Sequence, residues 1–72
     1  MKTVNIRQSR REFIDEHMKM INNSYFKALV EAFKLSAGKR WNNINYTYNS
    51  NGLTFLSLID EDGNEEIIYN NK

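Results

Sequence analysis

The chain has 72 residues without cysteine or proline, and its ten basic and nine acidic side chains leave a formal net charge of +1. A chain of this size forms one domain, 1–72, whose core is too small to enclose an active site, so we expect no enzyme. The missing cysteines exclude disulfides and thiolate metal sites and favour a reducing compartment, which predicts a cytoplasmic protein. No apolar run approaches a membrane span, and the near-neutral charge gives no overall preference for nucleic acid.

The first half of the sequence is typical of helix. Residues 1–8 precede the helical pattern, and we interpret them as a flexible basic arm. Ser9 and Glu12 have the spacing of a capping box, in which each side chain bonds the backbone amide of the other residue, so a helix should begin directly after Ser9. Apolar residues at helical spacing then predict helical structure over 9–37, with Gly38 ending it in a left-handed conformation.

Whether the helical half is one helix or two depends on Asn22-Asn23-Ser24. A single apolar stripe runs across these residues and on its own predicts one helix. The additional apolar residues, however, lie on one side of the stripe before residue 22 and on the other side after it, and asparagine is a poor residue for a helix interior. We therefore predict a break or kink at 22–24, which gives either two helices or one kinked helix.

Two glycine turns organise the second half of the chain. Asn51-Gly52 and Asp62-Gly63 each separate runs rich in β-branched and aromatic residues, which is the pattern of two-residue hairpin turns. They predict a three-stranded antiparallel β-meander over 43–70. Together with the helical half, this predicts an α+β fold of order ααβββ.

Two-residue turns also determine which residues share a face of the sheet, because side chains alternate along a strand. This register pairs Tyr48 with Phe55 and Leu56 with Tyr69. One apolar face would contain Ile44, Tyr46, Tyr48, Phe55 and Ile59. The opposite face would contain Leu56, Leu58, Ile67 and Tyr69. Two helices cannot cover both faces unless they separate, so either a sheet face or a helix flank should remain exposed.

Few side chains have the potential for catalysis or metal binding. His17 is the single histidine and the chain has no cysteine, so a transition-metal site lacks ligands. Asp60, Asp62 and Asn64 have the alternation of a calcium-binding loop, but Glu65 occupies the position where that loop requires glycine. We predict no metal, no cofactor and no catalytic residue.

The sequence favours a small protein-binding modulator or inhibitor that masks a surface of a larger protein, with a homodimer as a further option. The small size, the many asparagines and the lack of a catalytic set are typical of accessory proteins of phages and other mobile elements. The predicted binding residues combine the second apolar face with the acidic hairpin. They are Leu56, Leu58, Ile67, Tyr69, Asp60, Glu61, Asp62 and Glu65.

A nucleic-acid-binding protein or small transcriptional regulator is the alternative. The chain is basic before Trp41 and acidic after it, so cations in the arm and at the end of the helical half would hold phosphates while Trp41 stacks on a base. The residues of this alternative site are Arg7, Arg10, Arg11, Lys39, Arg40 and Trp41. The near-neutral net charge makes it the weaker of the two interpretations.

Overall fold

The computed structural model describes residues 3–19 and 25–71 and shows an α+β fold. Its four strands form one antiparallel sheet in the order β1-β2-β3-β4. The elements in chain order are β1 Val4–Ser9, α1 Arg10–Met18, α2 Tyr25–Ser36, β2 Asn43–Asn49, β3 Gly52–Ile59 and β4 Glu65–Asn70. The α+β class is as predicted, but the order is βααβββ, so the predicted ααβββ order with three strands is wrong.

The additional strand, β1, is formed by residues that the sequence placed in a flexible arm. Val4 and Ile6 alternate with polar residues, and β1 pairs with β2 so that Ile6 lies opposite Tyr46. Alternation of this kind puts the apolar side chains on one face of a sheet. Ile6 packs against the core from this position. Residues 4–8 are therefore part of the sheet and do not form an arm.

The predicted capping box at the start of α1 is confirmed. The Glu12 amide donates to Ser9 Oγ at 3.2 Å, and the Ser9 amide donates to Glu12 Oε1 at 3.2 Å. These bonds satisfy two of the amides that a helix start leaves without partners. Because Ser9 is also the last residue of β1, the strand passes into the helix without a loop.

The two helices lie side by side on the sheet. The ring of Phe33 in α2 is 6.0 Å from that of Phe13 in α1 and stacks on His17 at 4.1 Å. In one straight helix, residues as far apart in sequence as Phe13 and Phe33 would be about 30 Å apart. The helical half is therefore two packed helices. The predicted break at 22–24 itself lies outside the described residues.

The hairpin turns differ from the predicted type. Gly52 and Gly63 have positive φ values of 117° and 88°, but no non-glycine residue in the described ranges has positive φ, whereas a type I′ turn requires it at both central positions. In the β3–β4 connection, the Gly63 amide donates to the Asp60 carbonyl at 3.1 Å and the Asp60 amide donates to the Asn64 carbonyl at 3.0 Å. This is a three-residue loop, a type I turn followed by a glycine bulge.

The different turns shift the strand register. Ile44 lies opposite Leu58 and Tyr46 opposite Leu56, so the predicted pairing of Tyr48 with Phe55 is wrong by one residue. The predicted pair of Leu56 with Tyr69 is present, but an additional residue in β4 then shifts the rest of that ladder. A shift of one residue exchanges the faces of a strand.

The core lies between the helices and one face of the sheet. Helix α2 buries Ala28, Leu29 and Ala32, which face the central strands, while α1 buries Phe13. The core residues are Phe13, Ala28, Leu29, Ala32, Trp41, Ile44, Tyr46, Leu53, Leu56 and Leu58. All of the sheet residues in this set lie on the face that carries both helices, so neither helix in the described part of the chain covers the opposite face.

Candidate protein-binding surface

The four apolar residues predicted to form a binding face are not together. Leu56 is fully buried and Leu58 is 3% exposed, because the register places both under the helices. Tyr69 is half-buried and packs against the same core. Ile67 is 59% exposed and lies opposite Ser57, on the face without helices. These residues therefore provide no continuous exposed surface.

The structure does bring together most of the predicted basic and acidic residues. They line an open cleft of about 730 Å³ at the end of the sheet where α1 begins and α2 ends. The Arg10 guanidinium lies over the Trp41 ring, 5.0 Å from its centroid, and Arg10 Nη1 donates to the Lys39 carbonyl at 3.5 Å. The lining residues are Arg10, Gly38, Lys39, Arg40, Trp41, Asp60, Glu61 and Asp62.

The charges in this cleft oppose one another. Three cationic and three anionic side chains share its walls. The cleft therefore has no uniform charge that would attract phosphates or a basic partner surface. Asp60 is also occupied within its own turn, since its Oδ1 accepts from the Asp62 and Asn64 amides at 2.9 Å each. The carboxylate at position 60 therefore stabilises the hairpin.

The other predicted charged residues lie outside the cleft. Glu65 in β4 accepts a hydrogen bond from the Ser57 hydroxyl. Arg7 lies opposite Asn45 on the sheet face without helices and is exposed. Arg11 is exposed on α1, beside a shallow depression also lined by Ile14. The predicted nucleic-acid residues are thus divided among different surfaces.

The largest concentration of exposed apolar side chains is on the helices. Of the six large apolar residues that are exposed in the described part of the chain, five belong to α1 or α2. They are Ile14, Met18, Phe26, Phe33 and Leu35, with Ile67 as the sixth. Exposed apolar residues grouped in this way mark interaction sites more often than scattered ones do.

These residues lie on both helices. Ile14 and Met18 are four residues apart and share one side of α1, next to His17. His17 stacks on Phe33, which joins the two helices at the surface. Phe26 and Val30 share the Phe33 side of α2. We call this surface the helical patch, defined as Ile14, His17, Met18, Phe26, Val30 and Phe33.

The helical patch is separate from the apolar side chains that hold the helices on the sheet. In α2 the sheet-facing residues are Ala28, Leu29 and Ala32, so the stripe with Val30 and Phe33 is a second one. A helix needs one stripe to pack on a sheet. The second stripe was visible in the sequence as the apolar flank after residue 22, but its exposure became clear only when the helix orientation was known.

Three comparisons with known proteins give no independent indication of function. Comparison of the chain with protein-family models, curated proteins and solved structures found no significant match in any of the three. Neither helix in the described ranges has the length and apolar content needed to cross a membrane.

Proposed function

We propose that the chain is a small non-enzymatic protein-binding modulator or inhibitor, which acts in the cytoplasm by covering a surface of a larger protein with its helical patch. The observation that carries this proposal is the exposure of Met18, 79%, and Phe33, 37%, on neighbouring helices. Both side chains leave water when a partner binds, and burial of apolar area is the main favourable contribution to protein association.

The composition of the helical patch suits this role. Phenylalanine and methionine are enriched at protein interfaces, and methionine adapts its shape to irregular surfaces because it is unbranched. The Phe33 ring is held by stacking on Phe13 and His17, so it presents a fixed position to a partner. A side chain that is already ordered loses less conformational entropy on binding.

The test compares equivalent substitutions on two surfaces. Met18→Asp introduces a charge into the helical patch, and Ile67→Asp introduces the same charge at an exposed apolar residue on the sheet face without helices. Immobilised wild-type and variant proteins are used to capture a binding protein from cell extract. We expect Met18→Asp to abolish capture and Ile67→Asp to retain it. Capture that survives Met18→Asp but fails with Ile67→Asp would assign binding to the sheet face.

Self-association requires a separate measurement. Sedimentation equilibrium of the wild type and of Met18→Asp reports whether the helical patch binds a second copy of the chain. A dimer that dissociates in the variant would make the partner another molecule of this protein. If the wild type and Met18→Asp are both monomers, the partner of the helical patch is a different protein.

The nucleic-acid alternative has less support, because Asp60, Glu61 and Asp62 line the same cleft as Arg10, Lys39 and Arg40. Carboxylates this close to the cations repel phosphates. A titration of DNA binding against salt concentration tests this alternative. Binding at low salt that weakens steeply as salt rises would favour it over protein binding.

A further inference from the structure

We infer that Met18 is a site of reversible oxidation, at which a hydroperoxide converts the thioether to a sulfoxide and thereby prevents binding through the helical patch. This regulation rests on the proposed function, because it acts on the same surface.

Methionine is the only source of sulfur in this chain. The sequence contains three methionines and no cysteine, and of the methionines Met18 is the one that lies in the described residues. After cysteine, methionine is the side chain that peroxides oxidise most readily. The indole of Trp41, another oxidisable group, is buried in the core. Within the described part of the chain, Met18 is therefore the expected point of attack.

The position of Met18 gives dissolved peroxide access to it. At 79% exposure, it is the most exposed of the large apolar residues in the described ranges. A buried methionine is oxidised only when the structure opens locally, because susceptibility follows exposure. Met18, the last residue of α1, is accessible in the folded chain, so its oxidation requires no unfolding.

The reaction is a two-electron oxidation of the sulfur atom. A lone pair on Met18 Sδ attacks one oxygen of the hydroperoxide, and an S–O bond forms while the O–O bond breaks. The other oxygen takes up the proton and leaves as water or as an alcohol, so sulfur is oxidised and the peroxide is reduced. Methionine sulfoxide reductases reverse the change, because two thiols form a disulfide while the sulfoxide oxygen leaves as water.

Oxidation changes the property of Met18 that the helical patch requires. A thioether is apolar and flexible, whereas a sulfoxide is polar and accepts hydrogen bonds. Apart from His17, the other members of the helical patch have apolar side chains, which offer no donor to a sulfoxide. A polar group buried against a partner without a donor opposes binding. The fold itself should be unaffected, since an exposed side chain contributes little to stability.

Peptide mapping locates the oxidation. Trypsin cleaves after lysine and arginine, so it releases Met18 in peptide 12–19 and Met20 in peptide 20–27. The folded chain is treated with hydrogen peroxide in the presence of N-acetylmethionine as a reference, and the peptides are analysed by mass spectrometry. We expect peptide 12–19 to gain one oxygen at a rate comparable to that of the reference. If this peptide is still unoxidised when the reference has reacted completely, the inference is overturned.

Capture from cell extract measures the consequence for binding. The immobilised chain is oxidised, and the peroxide is removed before extract is added. We expect the oxidised wild type to bind its partner about tenfold more weakly or worse, and methionine sulfoxide reductases with a dithiol to restore binding. Met18→Leu has an apolar side chain without sulfur, so peroxide should not change its capture, whatever the level before treatment. Met20→Leu, which removes the neighbouring methionine, should be as sensitive as the wild type.

Two further measurements need no partner. Retention on a phenyl-substituted column reports the apolar character of the surface, and oxidation should shorten it in the wild type and in Met20→Leu more than in Met18→Leu. If Met18→Leu captures no partner even before treatment, this column makes the same comparison. Thermal unfolding of the oxidised and reduced wild type should coincide. A lower unfolding temperature after oxidation would assign the loss of capture to unfolding and overturn the inference.

The outcomes separate this regulation from the proposed function. A loss of capture that the reductases reverse, and that is absent from Met18→Leu, supports it. Equal sensitivity of Met18→Leu overturns it. Unchanged capture by a chain with fully oxidised peptide 12–19 overturns it too, while loss of capture in Met18→Asp would still support the proposed function. If the untreated wild type captures nothing, the proposed function fails and its regulation fails with it.

Discussion

The hydroxyl of Tyr25 lies 2.8 Å from the hydroxyl of Tyr46, in the interface between α2 and the sheet. The Tyr46 hydroxyl also donates to Gln8 Oε1 at 3.2 Å, and an amide oxygen only accepts. Because the single Tyr46 proton is used in that bond, Tyr25 is the donor to Tyr46. The directed chain from Tyr25 through Tyr46 to Gln8 connects α2, β2 and β1, and it orients α2 relative to the edge strand.

Removing the central hydroxyl should destabilise the fold. Tyr46 is fully buried, so Tyr46→Phe leaves the Tyr25 proton and the Gln8 amide oxygen without their present partner. The expected loss in the free energy of unfolding is about 1–3 kcal/mol, measured by urea denaturation. Tyr48→Phe is the matched control, because Tyr48 contacts Tyr25 through its ring at 5.2 Å. An equal loss in both variants would show that the hydroxyl chain contributes nothing specific.

The same tyrosines predict a loss of stability at alkaline pH. Burial raises the pKa of Tyr46 and, to a smaller extent, the pKa of Tyr25 above the ordinary value of 10.0. The folded state then holds these protons more tightly than the unfolded state does. The stabilisation is complete below pH 10 and is lost as the pH rises above that value toward the folded pKa.

The measurement is the free energy of unfolding between pH 8 and pH 11.5 for the wild type and for Tyr46→Phe. We expect the wild-type value to fall above about pH 10 and the variant to fall less steeply, because it has one buried ionisable hydroxyl fewer. Parallel pH profiles for the two proteins would contradict the assignment to Tyr46.

Local signals in the sequence were reliable where a few neighbouring residues determine the structure. The capping box of Ser9 and Glu12 and the left-handed Gly38 are both present as predicted. The hairpins are present where the glycines predict them, but the predicted turn type is wrong. Asn49 and Asp60 accept from amides two residues later, which favours type I turns with glycine after the turn residues. These side-chain bonds therefore accompany the turn type and the register that the structure shows.

Nonlocal features could not be predicted in the same way. Val4 and Ile6 alternate with polar residues like a strand, but a strand forms only when a partner is available, and that partner is β2 in the second half of the chain. The candidate site depended on the register as well. A shift of one residue moved Leu56 and Leu58 from a predicted surface to the core, and the exposed apolar area is instead on the helices.

Substitution at the first hairpin glycine should reveal backbone strain. Gly52 has φ of 117°, where residues with a Cβ are strained, so Gly52→Ala should cost about 1–3 kcal/mol. The new Cβ would lie 3.2 Å from Glu31 Oε1, the end of a flexible side chain that can move. Backbone strain is therefore expected to dominate, and adding Glu31→Ala should not restore stability. Recovery in the double variant, measured by thermal unfolding, would show that steric contact with Glu31 was the main cost.

Truncation on the two faces of the sheet should have opposite consequences for folding. Leu56 is fully buried under the helices, so Leu56→Ala removes packed methyl groups and leaves a cavity, at an expected cost of about 2–5 kcal/mol. Ile67 is 59% exposed on the face without helices, and Ile67→Ala should change stability by less than about 0.5 kcal/mol. Urea denaturation of both variants provides the comparison. A neutral Leu56→Ala together with a strongly destabilising Ile67→Ala would mean that the helices cover the opposite face of the sheet, which would contradict this fold.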